Sequence, residues 1–453
     1  MPADDLREVP PGDPSAMAAE AALPPGALKR LLSRGLVRAG IVTYVFSGLT
    51  LVANLVTGIV IARALGPDGR GVAVALVTVT QLAAYLCAMG VAQSLSYFIA
   101  RRPQDGASLL TTWVLMLLPL TAVAIAITEL LLPTIFAADG EQAISLGRWF
   151  VFTILIGVGL ELNYGLLLGA QDFFVYNALR FLQPLLMAVG LVVLWWLDAL
   201  TVESTLIAGT VTGGVAMAVG LGRSVKRVGV GSPAPRLGLA SLWYGARGQG
   251  SVLAPNITAR LDVALLPAFV ASTSVGIYSV ATNISLIVYQ LSNTFAGLVL
   301  PAAARDPERG QLKVVGSLWA SLAVAGLIAL GLALFARPLL GFVYGDDFRD
   351  AAEPLILLLP GAVLFAGSSI ISAGVYAEGR PFTATVAQVI GMVVTVVGLS
   401  VFLSTGGITA AALVSTAAYS TVFLATLVAY KVVTGRPWRS FVPTPARLRA
   451  LAR

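Results

Sequence analysis

Long apolar stretches follow one another almost without pause from residue 40 to residue 433. They read as segments at 40–64, 72–99, 108–134, 144–169, 174–197, 202–222, 245–269, 275–302, 314–336, 351–377, 382–404 and 408–433. A helix needs about 20 mostly apolar residues to cross a bilayer, so twelve crossings use roughly 240 positions. The chain offers 57% of 453, about 258 apolar residues, and only 11% charged ones. A soluble domain of this size has no core large enough to hide that fraction, and ordinary soluble domains carry roughly a quarter charged residues. The runs are too long for barrel strands and do not alternate. Pro119, Pro184, Pro255 and Pro360 fall inside them, which membrane helices tolerate because neighbours satisfy freed backbone groups. The expected fold class is an all-α integral membrane protein of about 12 transmembrane helices.

The same composition excludes several chemistries. There is no histidine and one cysteine, Cys87, within an apolar run. Disulfides, His/Cys metal sites and a histidine-activated nucleophile are therefore excluded, and no cofactor or metal is expected. Residues 1–28 are rich in Ala, Pro and acid without an apolar core, so they read as a disordered tail and not as a signal peptide.

The net charge of +7 points to sidedness, not to nucleic acid. With the N-terminus cytoplasmic, 22 of the 29 Lys and Arg residues fall in inner segments and 5 in outer ones. Arg247 and Arg260 fall in or beside the seventh span. All six outer loops are poor in cations, and an error of one helix would scramble the pattern. Both termini are expected in the cytoplasm.

The halves repeat. Ala64-Leu65-Gly66-Pro67-Asp68-Gly69-Arg70-Gly71 follows the first span, and Phe269-Val270-Ala271-Ser272-Thr273-Ser274-Val275-Gly276 follows the seventh. Ala100-Arg101-Arg102-Pro103 follows the second, and Ala304-Arg305-Asp306-Pro307 the eighth. The offsets are 205 and 204. Two copies of a six-helix unit run parallel, which is a transporter plan of two pseudo-symmetric six-helix lobes around a central cavity. The expected organisation is a cytoplasmic tail at 1–38, an N-lobe at 39–222, a linker at 223–240, a C-lobe at 241–434 and a basic cytoplasmic tail at 435–453.

Ala62-Arg63-Ala64-Leu65-Gly66-Pro67-Asp68-Gly69-Arg70-Gly71 resembles the "ARxLGPxxxG" turn of one family. This is the polysaccharide-transport branch of the multidrug/oligosaccharidyl-lipid/polysaccharide exporter superfamily, which includes lipid-linked oligosaccharide flippases. Leu261-Asp262-Val263-Ala264-Leu265-Leu266 with Val275-Gly276-Ile277-Tyr278-Ser279-Val280-Ala281 is similar to its second-lobe signature. Tyr344-Gly345-Asp346-Asp347-Phe348 and Gly169-Ala170-Gln171-Asp172-Phe173-Phe174-Val175-Tyr176-Asn177 fit two further turns. The likeness covers nearly the whole chain beyond residue 38. It implies a flippase-like fold in a bacterial-type cytoplasmic membrane and a lipid-linked oligosaccharide as substrate. Its implied partners are membrane lipids, polysaccharide polymerase and glycosyltransferases, with no nucleic acid.

Polar residues within the spans are the candidate site, because charge in a membrane is costly and tends to face a wet interior. On the seventh span Gln249, Asn256 and Arg260 share one face, and Arg247, Ser251, Thr258 and Asp262 another. Arg260 either binds pyrophosphate with its planar fork of donors or is paired structurally with Asp262. Arg247 binds substrate or snorkels to the inner boundary. Glu161 takes up a coupling proton, balances a cavity arginine or pairs with Arg180. Asn54 and Gln93 in the first half, with Asn283 in the second, bind sugar hydroxyls or join helices.

The preferred function is a transporter, not an enzyme. It moves a polyprenyl-diphosphate-linked oligosaccharide from the inner to the outer leaflet by alternating access, for cell-surface polysaccharide synthesis. A cation-coupled multidrug exporter of the same superfamily would ordinarily want an acidic residue in its first helix, and 41–62 holds only Asn54. A membrane glycosyltransferase or ligase would need acidic catalytic loops, whereas the first outer turn is short.

Overall fold

A computed structural model describes residues 34–137, 140–304, 307–378, 380–435 and 437–441. All regular structure among them is helical. In chain order the α-helices are α1 Arg34–Cys87, α2 Val91–Arg101, α3 Gly106–Ile135, α4 Gly140–Phe150, α5 Thr153–Gly169, α6 Phe173–Trp196 and α7 Val202–Val228. They continue as α8 Pro235–Thr258, α9 Leu261–Leu265, α10 Ser272–Ala304, α11 Pro307–Leu334, α12 Ala336–Tyr344, α13 Ala352–Ala377 and α14 Pro381–Thr434. The first helix starts inside the stretch read as a tail. Residues 1–33 of the first tail, and 436 and 442–453 of the last, lie outside the described residues.

Eight helical stretches among the described residues are long and apolar enough to cross a membrane. Two of them, Val42–Cys87 with 46 residues and Phe382–Thr434 with 53, are long enough for two crossings each. The local chemistry shows how they divide. Gly66 adopts φ 65° and is followed by Pro67, whose ring cannot extend the helix. Beyond this break Arg70 Nη1 donates to the Gly58 carbonyl at 2.6 Å. In a continuous helix those residues would stand about 18 Å apart, so the chain reverses at Gly66. In α14 the break is Gly407, φ 53°. Its arms run antiparallel, because Gly391 faces Val422 and Gly398 faces Val414. With the remaining crossings, the architecture is the expected all-α bundle of about twelve crossings in two pseudo-symmetric six-helix halves.

The exposed surface is apolar where a soluble protein's would be polar. Leu130 is 79% exposed and Leu327 71%, as surfaces that meet lipid require. The halves join most intimately near the Gly66 turn. There a single apolar cluster takes Leu76 and Leu132 from the first half and Val275, Tyr278 and Leu355 from the second. A second, smaller cluster joins Leu82 of the first half to Ile257 and Ala264, and each half also has clusters of its own. Leu160, Leu167 and Leu179 form one in the first half, and Val314, Ile370 and Tyr430 one in the second.

The seam at the Gly66 turn is tight enough to exclude side chains. A Cβ on Gly71 would fall 1.8 Å from the Ser272 carbonyl oxygen, and one on Gly276 would fall 1.8 Å from that of Pro67. Asp68 accepts from the Ser272 and Thr273 hydroxyls across the seam. Arg63 Nε donates to the Val343 carbonyl at 3.0 Å.

At the opposite end, α8 connects the halves. Ser94 Oγ donates to the Ser241 carbonyl at 2.7 Å, Trp113 Nε1 donates to Ser241 Oγ at 2.9 Å, and the Tyr97 and Tyr244 rings stack at 4.3 Å. The Ala234 amide donates to Thr112 Oγ1 at 2.8 Å. The start of α8 and the segment before it thus lie on the first half. The last turn of α8 leads into the second half, where Ala259 packs with Phe365, Tyr419 and Val422. We therefore propose that the changeover between halves falls within 245–254, later than residue 241.

Candidate functional site

Pro255 removes one amide donor from α8, and the helix ends three residues later at Thr258. Arg260 occupies the break before α9 with φ −132°. It is half-buried, at the level where the seventh crossing enters the second half. Two residues on, Asp262 is fully buried. Its carboxylate accepts from Tyr278 Oη at 2.6 Å, from Ser415 Oγ at 2.8 Å and from the Val263 amide at 2.7 Å. Arg260 and Asp262 do not form an ion pair. Asp262 instead ties α9 to α10 and α14 through these bonds. The physical reason is the burial itself, since a desolvated carboxylate needs donors and three converge on it.

In the first half Glu161 and Tyr164 project from α5, and Tyr176 and Arg180 from α6. Arg180 Nη1 donates to Tyr176 Oη at 3.4 Å, its guanidinium lies 5.5 Å from that ring's centroid, and the Tyr164 and Tyr176 rings meet edge to face at 5.7 Å. Glu161 is within electrostatic reach of Arg180 without closing to an ion pair. Tyr85, on the second arm of α1, interacts with Glu161, Arg180 and Arg260. Tyr419 on α14 interacts with Arg260 and Asp262. A chain of polar groups therefore runs between the halves, from Arg180 through Glu161 and Tyr85 to Arg260 and Tyr419.

The second-half wall of this region is aromatic. Tyr289, Phe365 and Tyr419 stack in sequence, with centroids 4.5 and 4.7 Å apart. The Tyr419 hydroxyl is buried with no hydrogen-bond partner among the described residues. Of the other residues singled out from sequence, Asn54, Asn256 and Asn283 are exposed and Gln93 is half-buried. Arg247 and Gln249 lie on α8, but their side chains are outside the described residues.

Arg180 is the site member that sequence reasoning placed with the loop cations. It stands seven residues into α6, about 10 Å along the helix axis, with Gln183 and Pro184 following. That depth is the signal that could have found it. Two guanidiniums from opposite halves thus lie within electrostatic reach of one tyrosine, Tyr85, an arrangement suited to a compact multivalent anion.

The sequence profile of the family described as polysaccharide biosynthesis protein matches residues 36–306. Over 165 residues the chain is 22% identical to the probable low-salt glycan biosynthesis flippase Agl15 of Haloferax volcanii, and the match covers 35% of each chain. The chain thus spans about a third of that relative's length. The solved structure of the lipid II flippase MurJ in its inward closed conformation overlays with a TM-score of 0.73 at 15% identity, covering 88% of this chain and 89% of that one. An inward-facing multidrug resistance MATE family transporter of the MOP superfamily overlays with a TM-score of 0.67 at 16% identity, covering 87% and 98%. These structures share the fold. The profile match takes in more than half of the residues, and on that ground the chain belongs to the polysaccharide biosynthesis protein family.

Proposed function

We propose that this protein carries a polyprenyl-diphosphate-linked oligosaccharide from the cytoplasmic to the outer leaflet by alternating access. The observation that carries the reading is that Arg180 and Arg260, from opposite halves, both lie within electrostatic reach of Tyr85, with Glu161 in reach of Arg180 and of Tyr85. A diphosphate brings concentrated negative charge, and guanidinium forks match its oxygens. The residues around them are tyrosines, which suit sugar hydroxyls and ring faces. The lipid tail stays in the bilayer while the halves rock about the bound head group.

The distribution of cations supports an orientation with the Gly66 turn outside and both termini inside. With that orientation the tight seam closes the outer side. Alternating access then requires the seam to part while the inner ends of the halves approach.

The test is a leaflet-exchange assay in sealed vesicles with a fluorescent polyprenyl-diphosphate-linked oligosaccharide. Arg260→Ala and Glu161→Ala should each slow exchange at least about tenfold, the scale of one charge-assisted contact, with normal expression and thermal unfolding. Wild-type rates in both variants overturn the assignment of the site. Efflux of an organic cation by the wild type, without exchange of the lipid-linked probe, would favour the multidrug exporter instead.

A further inference from the structure

Arg70 is 2% exposed, and its hydrogen bonds among the described residues go to neutral groups. Nε donates to Ser279 Oγ of the second half at 3.0 Å, and Nη1 to the Gly58 carbonyl of its own half at 2.6 Å. The Tyr344 ring, also of the second half, lies 5.8 Å from the guanidinium carbon. Among the described residues no carboxylate forms an ion pair with it, although Asp68 is two residues away. Burying a cation without a counter-charge is costly. A seam that had only to close would gain from an apolar side chain here.

The backbones approach closely across this seam, at Gly71 with Ser272 and at Gly276 with Pro67, and its polar cross-links from Asp68, Arg63 and Arg70 go to hydroxyls and a carbonyl, not to opposite charges. Parting removes Ser279 and Tyr344 and leaves Gly58, because Gly58 lies on the same hairpin. The guanidinium then keeps one anchor and turns its remaining N–H groups toward the opening.

We propose that Arg70 is a phosphate-binding residue of the outward-opened state, sealed in the seam when that side is closed and delivered to the diphosphate of the lipid-linked substrate when it opens. Arg180 and Arg260 hold the anion in the middle of the bundle, and Arg70 takes it at the outer rim. The proposal rests on the flippase reading and on the orientation that accompanies it.

The experiment uses full-length protein in sealed vesicles with the Gly66 turn outward. Phenylglyoxal is added outside, and modification of Arg70 is followed by peptide mass spectrometry. Labelling should be slow, and polyprenyl diphosphate in the membrane should slow it at least about tenfold relative to vesicles with phosphatidylglycerol alone. Inorganic diphosphate outside is a second arm, with sulfate as its control. Protection by the lipid alone assigns the site to the head group, and protection by both extends it to free diphosphate. Absence of labelling, or labelling indifferent to both diphosphates, overturns the proposal. Arg70→Lys should keep inhibition of exchange by external diphosphate, and Arg70→Gln should lose it. If exchange of the lipid-linked probe proceeds while Arg70 is unprotected, this inference fails and the transport reading stands. If Arg70 is protected but the probe is never exchanged, the reverse holds.

Discussion

Gly71 and Gly276, 205 positions apart in sequence, meet in space at the point where the two halves join. A Cβ on Gly71 would strike Ser272 and one on Gly276 would strike Pro67, each at 1.8 Å from the carbonyl oxygen. Ser272 is Pro67 shifted by 205, as Gly276 is Gly71 shifted by 205. Residue i of one half thus touches the counterpart of j in the other, and the reverse also holds. This is the signature of an isologous contact across a two-fold axis, here within one chain.

Gly71→Ala and Gly276→Ala should therefore each prevent full closure of the seam, since the backbones must separate to admit a methyl group. Each substitution should lower stability by about 1–3 kcal/mol, the range for overpacking a filled contact. The double variant should cost less than the sum, because one separation relieves both clashes. Thermal unfolding of the three variants checks this. Additive losses would mean that the glycines do not share one contact.

Asp262→Ala should be more damaging than Asp262→Asn. The alanine leaves the Tyr278 and Ser415 hydroxyls buried without their acceptor, at about 1–3 kcal/mol for each unsatisfied group. Asparagine keeps one acceptor oxygen. Thermal unfolding in detergent should rank wild type, Asn and Ala in falling order, with little change in substrate affinity for Asn. Loss of substrate binding in a stable Asn variant would place Asp262 on the transport path.

The apolar segments made the helix count legible, because span length follows from bilayer thickness, and the paired motifs at offsets 205 and 204 made the repeat legible. Gly66 and Gly407 were legible only as turns, yet the same residues let one helix double back as two crossings. Arg260 stood out for its depth in an apolar span. Asp262 did not separate from it, since neighbours on a broken helix need not share an environment and only the fold brings Tyr278 and Ser415 to the carboxylate. Arg180 was legible only as a partner for Glu161, because it lies near an inner turn, and Tyr85 and Tyr419 were hidden by the ordinariness of tyrosine in a membrane protein.

Ser241→Val should loosen the start of α8 from the first half. Ser241 accepts from Trp113 Nε1 and takes the Ser94 hydroxyl on its carbonyl. Removing its hydroxyl leaves the buried indole N–H without that acceptor, at about 1–3 kcal/mol. Trp113 is fully buried, so water does not reach it readily. Hydrogen exchange over 235–245 should rise in the variant and stay unchanged around Gly71, at the far seam. Equal rises at both ends would indicate a global loss of stability.

Arg180→Lys and Arg180→Ala separate charge from geometry at the site. Arg180 meets Tyr176 by its hydroxyl and its ring face, and it is the cation that faces Glu161 on the first half. Lysine keeps the charge but presents a point donor, not a planar fork. If the guanidinium binds diphosphate through paired oxygens, lysine should slow exchange of a lipid-linked probe roughly tenfold, and alanine by more. If Arg180 only balances Glu161, lysine should match wild type. In that case Arg180→Ala should be rescued by Glu161→Gln, which removes the charge left unbalanced. Exchange rates for Arg180→Lys, Arg180→Ala and the double variant therefore decide between a substrate ligand and an internal counter-ion. The flippase reading requires the first pattern, lysine impaired and no rescue by Glu161→Gln.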